Sequence, residues 1–416
     1  VELSKSSTSP GPAVDNEANL PGVATTPMRA WLAVIAIGLG TFSLVTTETL
    51  PVGLLPLIGN GVGVSVGVAG FLVTGYAAFA TLTAAPFTTL TGRLDRRWLM
   101  IGLLALFVLG NVLAAASPSY VVLLLARLMV AVVHGVFWSI AAPIAIRLVH
   151  AHHGVRATTI VFSGVSIASI LGMPGGTLLG QLFGWQVAFL AVGGLGLVTL
   201  LALAALLPAM PAAGSATVRA LLGLFRRGQL TIAVTVSCLA MIGHYLAFTY
   251  VTPYLERTAH VDSSVISALL LVFGVAGVVG NFAAGYFLSR SLRGTLTGAL
   301  IVLSASLALM YVIGDSQVVV TVLLVLWGAS YAMMPVGIQT WVLRLAPDET
   351  DAASSLSVAA FNGAIAIGSL IGGVVVEFAG PRGTTGIGAG LVILSLLVLL
   401  ISRPSRSEQA KPSYSG

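Results

Sequence analysis

Charge is what this chain of 416 residues has least of, with 8% of its residues Asp, Glu, Lys or Arg against roughly 25% in an average soluble domain. That deficit excludes a hydrated globular surface. With 57% hydrophobic residues and a mean hydropathy of +1.03, the chain reads as a polytopic membrane protein. Cysteine is almost absent: the single Cys238 excludes an internal disulfide, and its apolar setting suits a small buried hydrophobe. Long runs of Lys and Arg are missing too. The net charge of +6 and pI near 9.8 therefore do not indicate a nucleic-acid partner, because the basic residues are scattered between apolar stretches, as membrane topology requires. No phosphate-cradling loop, His/Cys metal spacing or strand-borne nucleophile appears. An ATP-driven pump or an enzyme lacks its parts, and no cofactor or metal is expected.

What is present is a series of apolar runs long enough to cross about 30 Å of hydrocarbon. They fall near 31–58, 67–90, 98–116, 120–146, 158–183, 185–207, 230–255, 264–288, 294–313, 317–344, 352–379 and 384–402. Twelve transmembrane helices in an all-α fold follow. The polar stretch 208–229 divides them into a six-helix half at 29–207 and another at 230–402, with short tails at 1–28 and 403–416. Residues 1–28 lack the apolar core of a signal peptide and are expected to be a disordered cytoplasmic tail. Sixteen of nineteen Lys and Arg lie on the side of the termini, so the positive-inside rule puts both ends in the cytoplasm. Two weak echoes suggest a duplication: Pro51 and Pro253, each ending the first span of its half, and Gly175-Gly176 and Gly372-Gly373 in each fifth span. A parallel repeat with a site between the halves is expected.

Glu48 is the only ionisable residue between Trp31 and Ile58. A charged carboxylate at mid-bilayer costs roughly 2.5–3.5 kcal/mol on insertion scales, so it needs a partner or a task. Arg127 is the second intramembrane charge, at a depth that allows an ion pair with Glu48. His134 and Trp138 follow it at seven and eleven residues, on one helical stripe. Either the pair is a fixed neutralising tie between spans 1 and 4, or Glu48 exchanges a proton for which Arg127 competes. In the second half His244 is followed by Tyr245, Thr249 and Tyr250, and Gln339 and Asn362 add amides in spans 10 and 11. These groups suit a polar, uncharged ligand or ordinary helix–helix hydrogen bonding. Phe137, Trp138 and Tyr245 are candidate lining residues or packing. Span 5 carries Gly164, Gly172, Pro174, Gly175, Gly176 and Gly180, a face for close packing or for sliding between the halves. The charged loop Gly92 to Arg97 contains Asp95 and Arg96, suited to helix capping and to setting orientation.

These residues resemble the major facilitator superfamily, in its drug/proton antiporter branch, and within that the bacterial sugar efflux transporters. The likeness rests on Thr47-Glu48 with Pro51 to Leu55, Arg127 with His134 and Phe137-Trp138-Ser139, the Gly184-Trp185 turn, and His244-Tyr245. It implies proton coupling at Glu48 and Arg127 with His134 in the central cavity. It also assigns a loop motif to Gly92–Arg97 and an antiporter motif to Gly164–Gly176. Departures are a shortened loop motif, Ala131 in span 4 and Met173 between Gly172 and Pro174. The resemblance implies a monomeric exporter in the plasma membrane, exchanging sugars or sugar-like solutes for protons, with related exporters carrying purine ribonucleosides or drugs.

Overall fold

The computed structural model describes residues 27–91, 94–150, 153–211, 228–346 and 350–402. The tails at 1–26 and 403–416, most of the 208–229 connection, and Gly92 lie outside the described residues. Apolar helices follow one another because a bilayer leaves no other way to satisfy backbone N–H and C=O groups. In order they are α1 (Pro27–Val62), α2 (Val66–Leu90), α3 (Arg96–Ala115), α4 (Tyr120–Leu148) and α5 (Gly154–Ile167). A π turn (Ala168–Gly172) leads from α5 into α6 (Met173–Phe183), followed by α7 (Trp185–Leu206). The second half comprises α8 (Gly228–Phe248), α9 (Val251–Arg257), α10 (Ser263–Arg290), α11 (Leu292–Ile313), α12 (Gln317–Leu345) and α13 (Thr350–Ile401).

Helices α5 and α6 with the π turn make one span, α8 and α9 make another, and α13 makes two. Gly380, at φ 72°, breaks α13 ahead of Pro381, which gives twelve spans among the described residues. Gly184, at φ 91°, turns α6 into α7; both positions take a left-handed backbone that glycine adopts freely. An even count leaves Pro27 and Ile401 on one face, called here the near face. Helix α1 starts at Pro27, inside the segment expected as tail, where proline suits a first helical position.

Two apolar cores form, one in the first half including Ile37, Phe107, Val133 and Phe189, the other centred on the second half with Met241, Leu300, Trp327 and Trp341 but taking in Val52, Val73, Ala77 and Met173 of the first. The expectation that Pro51 and Pro253 end matching helices fails. Helix α1 runs through Pro51 and Pro56 to Val62. In the second half the chain breaks earlier, at Thr249-Tyr250, and Pro253 lies in the first turn of α9, where its missing N–H costs nothing.

The span-5 glycines meet α1 of their own half. A Cβ on Gly164 would strike the Gly38 carbonyl and the Phe42 nitrogen, and on Gly172, Gly176 and Gly180 it would strike Thr46, Leu50 and Leu54. Both sides advance four residues at a time, a close-packed seam within the first half rather than a surface between halves. Span 5 reaches the second half through Gln181 of α6 and through its π turn, where the Ser169 carbonyl lies against Gly274 of α10. Pro174, just downstream, removes the donor that a regular helix would offer to that turn.

On the far face the halves are sealed. The Gly67 N–H donates to Glu377 Oε1 at 3.0 Å, and Ser267 Oγ donates to Gln181 Oε1 at 2.7 Å. Leu55, Val66, Ala69, Tyr250 and Val376, drawn from both halves, form an apolar plug.

Candidate functional site

Pro51 organises the first half of the site. Lacking an N–H, it leaves the carbonyl four residues earlier, that of Thr47, without its helical donor. Arg127 of α4 supplies one: its Nη1 donates to Thr47 O at 2.7 Å and to Thr47 Oγ1 at 3.1 Å. Thr47 Oγ1 donates to Asn111 Oδ1 at 2.9 Å, and Asn111 Nδ2 donates to Phe107 O at 2.9 Å. A fully buried guanidinium thus ties α4, α1 and α3 together, with the Tyr76 ring 4.5 Å and the Phe189 ring 5.8 Å from its carbon. Its Nε and Nη2 have no hydrogen-bond partner among the described residues.

The expected Glu48–Arg127 ion pair is not formed. Arg127 is held by the carbonyl of the preceding residue, and the basic group facing Glu48 is His134, with Nδ1 3.8 Å from Glu48 Oε2. Tyr76 Oη lies 3.1 Å from the same Nδ1. Glu48, Tyr76, Val73 and Thr49 of the first half share a small cavity with Tyr245, Phe248 and Ile365 of the second. At about 20 Å³ it has room for about one water, placed where the halves meet.

Across the cavity, His244 is fully buried. Its Nδ1 accepts from Trp327 Nε1 at 2.9 Å. An indole N–H only donates, so the neutral imidazole carries its proton on Nε2, an atom without a partner among the described residues. The ring stacks on Tyr331, with centroids 3.5 Å apart and planes 3° apart, and on Phe248 at 5.1 Å. Tyr245 and Tyr331 share a hydroxyl–hydroxyl bond of 2.9 Å, and Thr249 Oγ1 bonds Ser369 Oγ at 2.8 Å.

Glu48, Arg127, His134, His244 and Tyr245 are therefore gathered around the junction of the halves. Trp138 packs beside them, 6.0 Å from His134 and stacked on Phe162 of α5 at 5.7 Å. Phe137 is not on this side: it is buried in the core of the first half, against Gly40. Asn362 Nδ2 donates to Val358 O of its own helix, and Gln339 is half-buried; neither lines the cavity. Asp95 caps α3 through the Arg97 N–H at 2.8 Å and accepts from the Met210 N–H at 2.9 Å, while the Arg96 N–H donates to Met210 O. The charged loop is thereby wired to the start of the inter-half connection. Tyr76, Asn111, Trp327 and Tyr331 escape the sequence reading. Asn111, a lone amide in an apolar span, was the detectable signal; the others look like ordinary span aromatics.

Twelve spans in two halves, with intramembrane charges at their junction, define a solute transporter. The chain belongs to the Major Facilitator Superfamily, whose model matches residues 37–357 and again 233–416. Among solved structures it is similar to a variant of the nucleoside transporter NupG, with TM-score 0.75, 13% identity, and 89% of this chain and 99% of that one covered. It is also similar to a bacterial homologue of the human lysosomal transporter Spinster in an inward-facing, unoccupied conformation (TM-score 0.70, 17% identity, coverage 92% and 100%). The xylose transporter XylE from E. coli, in a partially occluded inward-open conformation, matches at TM-score 0.70 and 14% identity, with coverage 91% and 99%. At these identities the likeness is one of fold.

Proposed function

We propose that the chain is a proton-coupled antiporter that exports small polar solutes, most suitably sugars or sugar-like molecules, across the plasma membrane by alternating access. Both termini are cytoplasmic, and the unit is a monomer. The observation that carries this reading is the position of Glu48, the one carboxylate lining the cavity that both halves share, with His134 at 3.8 Å. Open outward, the site releases solute and Glu48 takes up a proton; open inward, Glu48 gives that proton to the cytoplasm and solute binds. Arg127 of α4, bound to the carbonyl of Thr47 one residue before Glu48, anchors the helix that carries the exchanging group.

The ring stack of His244, Tyr331 and Phe248 favours purine ribonucleosides or planar drugs as the second substrate reading. The use of Arg127 on a backbone carbonyl favours, in turn, an uncoupled facilitator with a structural cluster. Proteoliposomes separate these. With a panel of sugars, ribonucleosides and antibiotics, an imposed pH gradient should drive uphill accumulation of one class, and added substrate should drive proton movement. Downhill flux with no proton movement overturns the antiport reading, and nucleoside-only accumulation overturns the sugar reading.

A further inference from the structure

A second groove, sharing no lining residue with the central cavity, lies between α10, α11 and α12 at the near-face end of the second half. It encloses about 440 Å³ and is lined by Phe287, Gly298, Val302, Leu326 and Met333, with Arg290 and Ser291 at its mouth. The floor is open at Gly298, where a Cβ would meet nothing within 4 Å. Phe287, Val302 and Leu326 remain between about a third and a half exposed, so the apolar length of the groove faces hydrocarbon. Its polar end carries one sign of charge. Arg290 rests on the Tyr286 ring at 3.9 Å and has no hydrogen-bond partner among the described residues, and no carboxylate lines the groove.

We propose that this groove binds one anionic phospholipid, its head group on Arg290 and an acyl chain running over Thr295, Gly298 and Val302. Three features select that occupant. A cation at one end and apolar walls along the rest complement an amphiphile with an anionic head, whereas a free anion would leave the walls unused and a neutral lipophile would leave Arg290 unused. From Gly294 to Val302 the helical rise is about 12 Å, within one leaflet of about 15 Å. Arg290 also lies at the near face, where anionic lipids concentrate if that face is cytoplasmic.

Native mass spectrometry of the full-length protein tests this, with phosphatidylglycerol competing against phosphatidylcholine. Wild type should retain about one phosphatidylglycerol in preference to the choline lipid. Arg290→Gln should reduce that preference about fivefold, the equivalent of about 1 kcal/mol for one surface cation. Gly298→Leu, whose Cβ meets nothing within 4 Å and whose branch fills the floor, should remove retention of either lipid while leaving the thermal midpoint unchanged. Equal preference in wild type and Arg290→Gln overturns the proposal whatever Gly298→Leu does. So does displacement of the bound lipid by inorganic phosphate, or a protein dimer that forms at this groove and excludes lipid.

Discussion

The seam between α1 and span 5 makes a graded prediction, because what a new methyl group meets changes along it. At Gly164 a Cβ would stand 2.9 Å from the Phe42 nitrogen and closer to the Gly38 carbonyl, both backbone atoms. Neither can move unless the helices part. At Gly176 and Gly180 the obstacle is the tip of Leu50 or Leu54, which can change rotamer. At Gly175 there is nothing within 4 Å. Overpacking a tight interface costs about 1–3 kcal/mol. Gly164→Ala is therefore expected at or above the top of that range, Gly176→Ala and Gly180→Ala near its bottom, and Gly175→Ala at zero. The same geometry makes Gly176→Leu a folding variant: its midpoint and its ligand binding should fall together, not binding intact with slowed exchange. Thermal midpoints in one detergent, read by fluorescence and size exclusion, give the order. If Gly164→Ala matched Gly175→Ala, the close backbone approach would be refuted; if Gly176→Leu kept wild-type midpoint and affinity but lost exchange, glycine sliding between halves would have to be restored.

Glu48→Gln keeps shape and removes the exchangeable proton, so proton-driven accumulation should drop to background in protein that still inserts; undiminished accumulation would remove Glu48 from coupling. Pro51→Ala returns a helical N–H to the Thr47 carbonyl and competes with Arg127 for it, which should alter the pH profile of transport at an equal or higher midpoint. An unchanged profile with a lower midpoint would refute that division of labour. Thr47→Val leaves Asn111 Oδ1 buried without its donor, an expected loss of about 1–3 kcal/mol visible as a lowered midpoint. For His244, nitrogen-15 spectra of histidine-labelled protein should show Nε2 protonated and Nδ1 bare, and Trp327→Phe should release that preference; a protonated Nδ1 in wild type would contradict the Trp327 bond.

The spans were legible because hydropathy and turn glycines are local properties: Gly184 and the Gly380-Pro381 step mark breaks in the sequence and in the helices alike. Glu48, Arg127, His134 and His244 were legible for a related reason, since an ionisable residue in hydrocarbon stands out wherever it packs, whereas Tyr76, Asn111, Trp327 and Tyr331 of the same cluster escape the sequence reading. Partnership was not. Arg127 has a reach that covers both Glu48 and the Thr47 carbonyl, and the choice depends on how α4 is rotated against α1 and on Pro51 having freed that carbonyl. Phe137 and Trp138 are neighbours in sequence, yet one faces the core and the other faces His134, a difference of about 100° around the helix that apolar composition on all sides of α4 conceals. Span 5 showed its glycine spacing plainly but not which helix lay opposite.

The far-face seal shows how such a bundle can hold a closed state without being trapped in it. Gly67 is the second residue of α2, so its N–H is one of the amides that no helical carbonyl can satisfy. Glu377, from the other half, caps it at 3.0 Å, placing a carboxylate at the positive end of the helix. A cap supplied by the opposite half is lost when the halves part, but both groups then meet water, so the net loss is that of one hydrogen bond to a charged group, about 1.5–3 kcal/mol. The Tyr250 ring, which would collide with a Cβ on Gly70 or Gly373, adds a fitted apolar contact to the same seal. A hydrogen bond of this size shifts populations by about tenfold to somewhat over a hundredfold, within reach of the differential binding of a solute or a proton. The glycine seam inside the first half is of another kind: at Gly164 backbone packs on backbone with no water waiting to replace it, so α1 and span 5 are expected to stay together in any rearrangement that parts the halves.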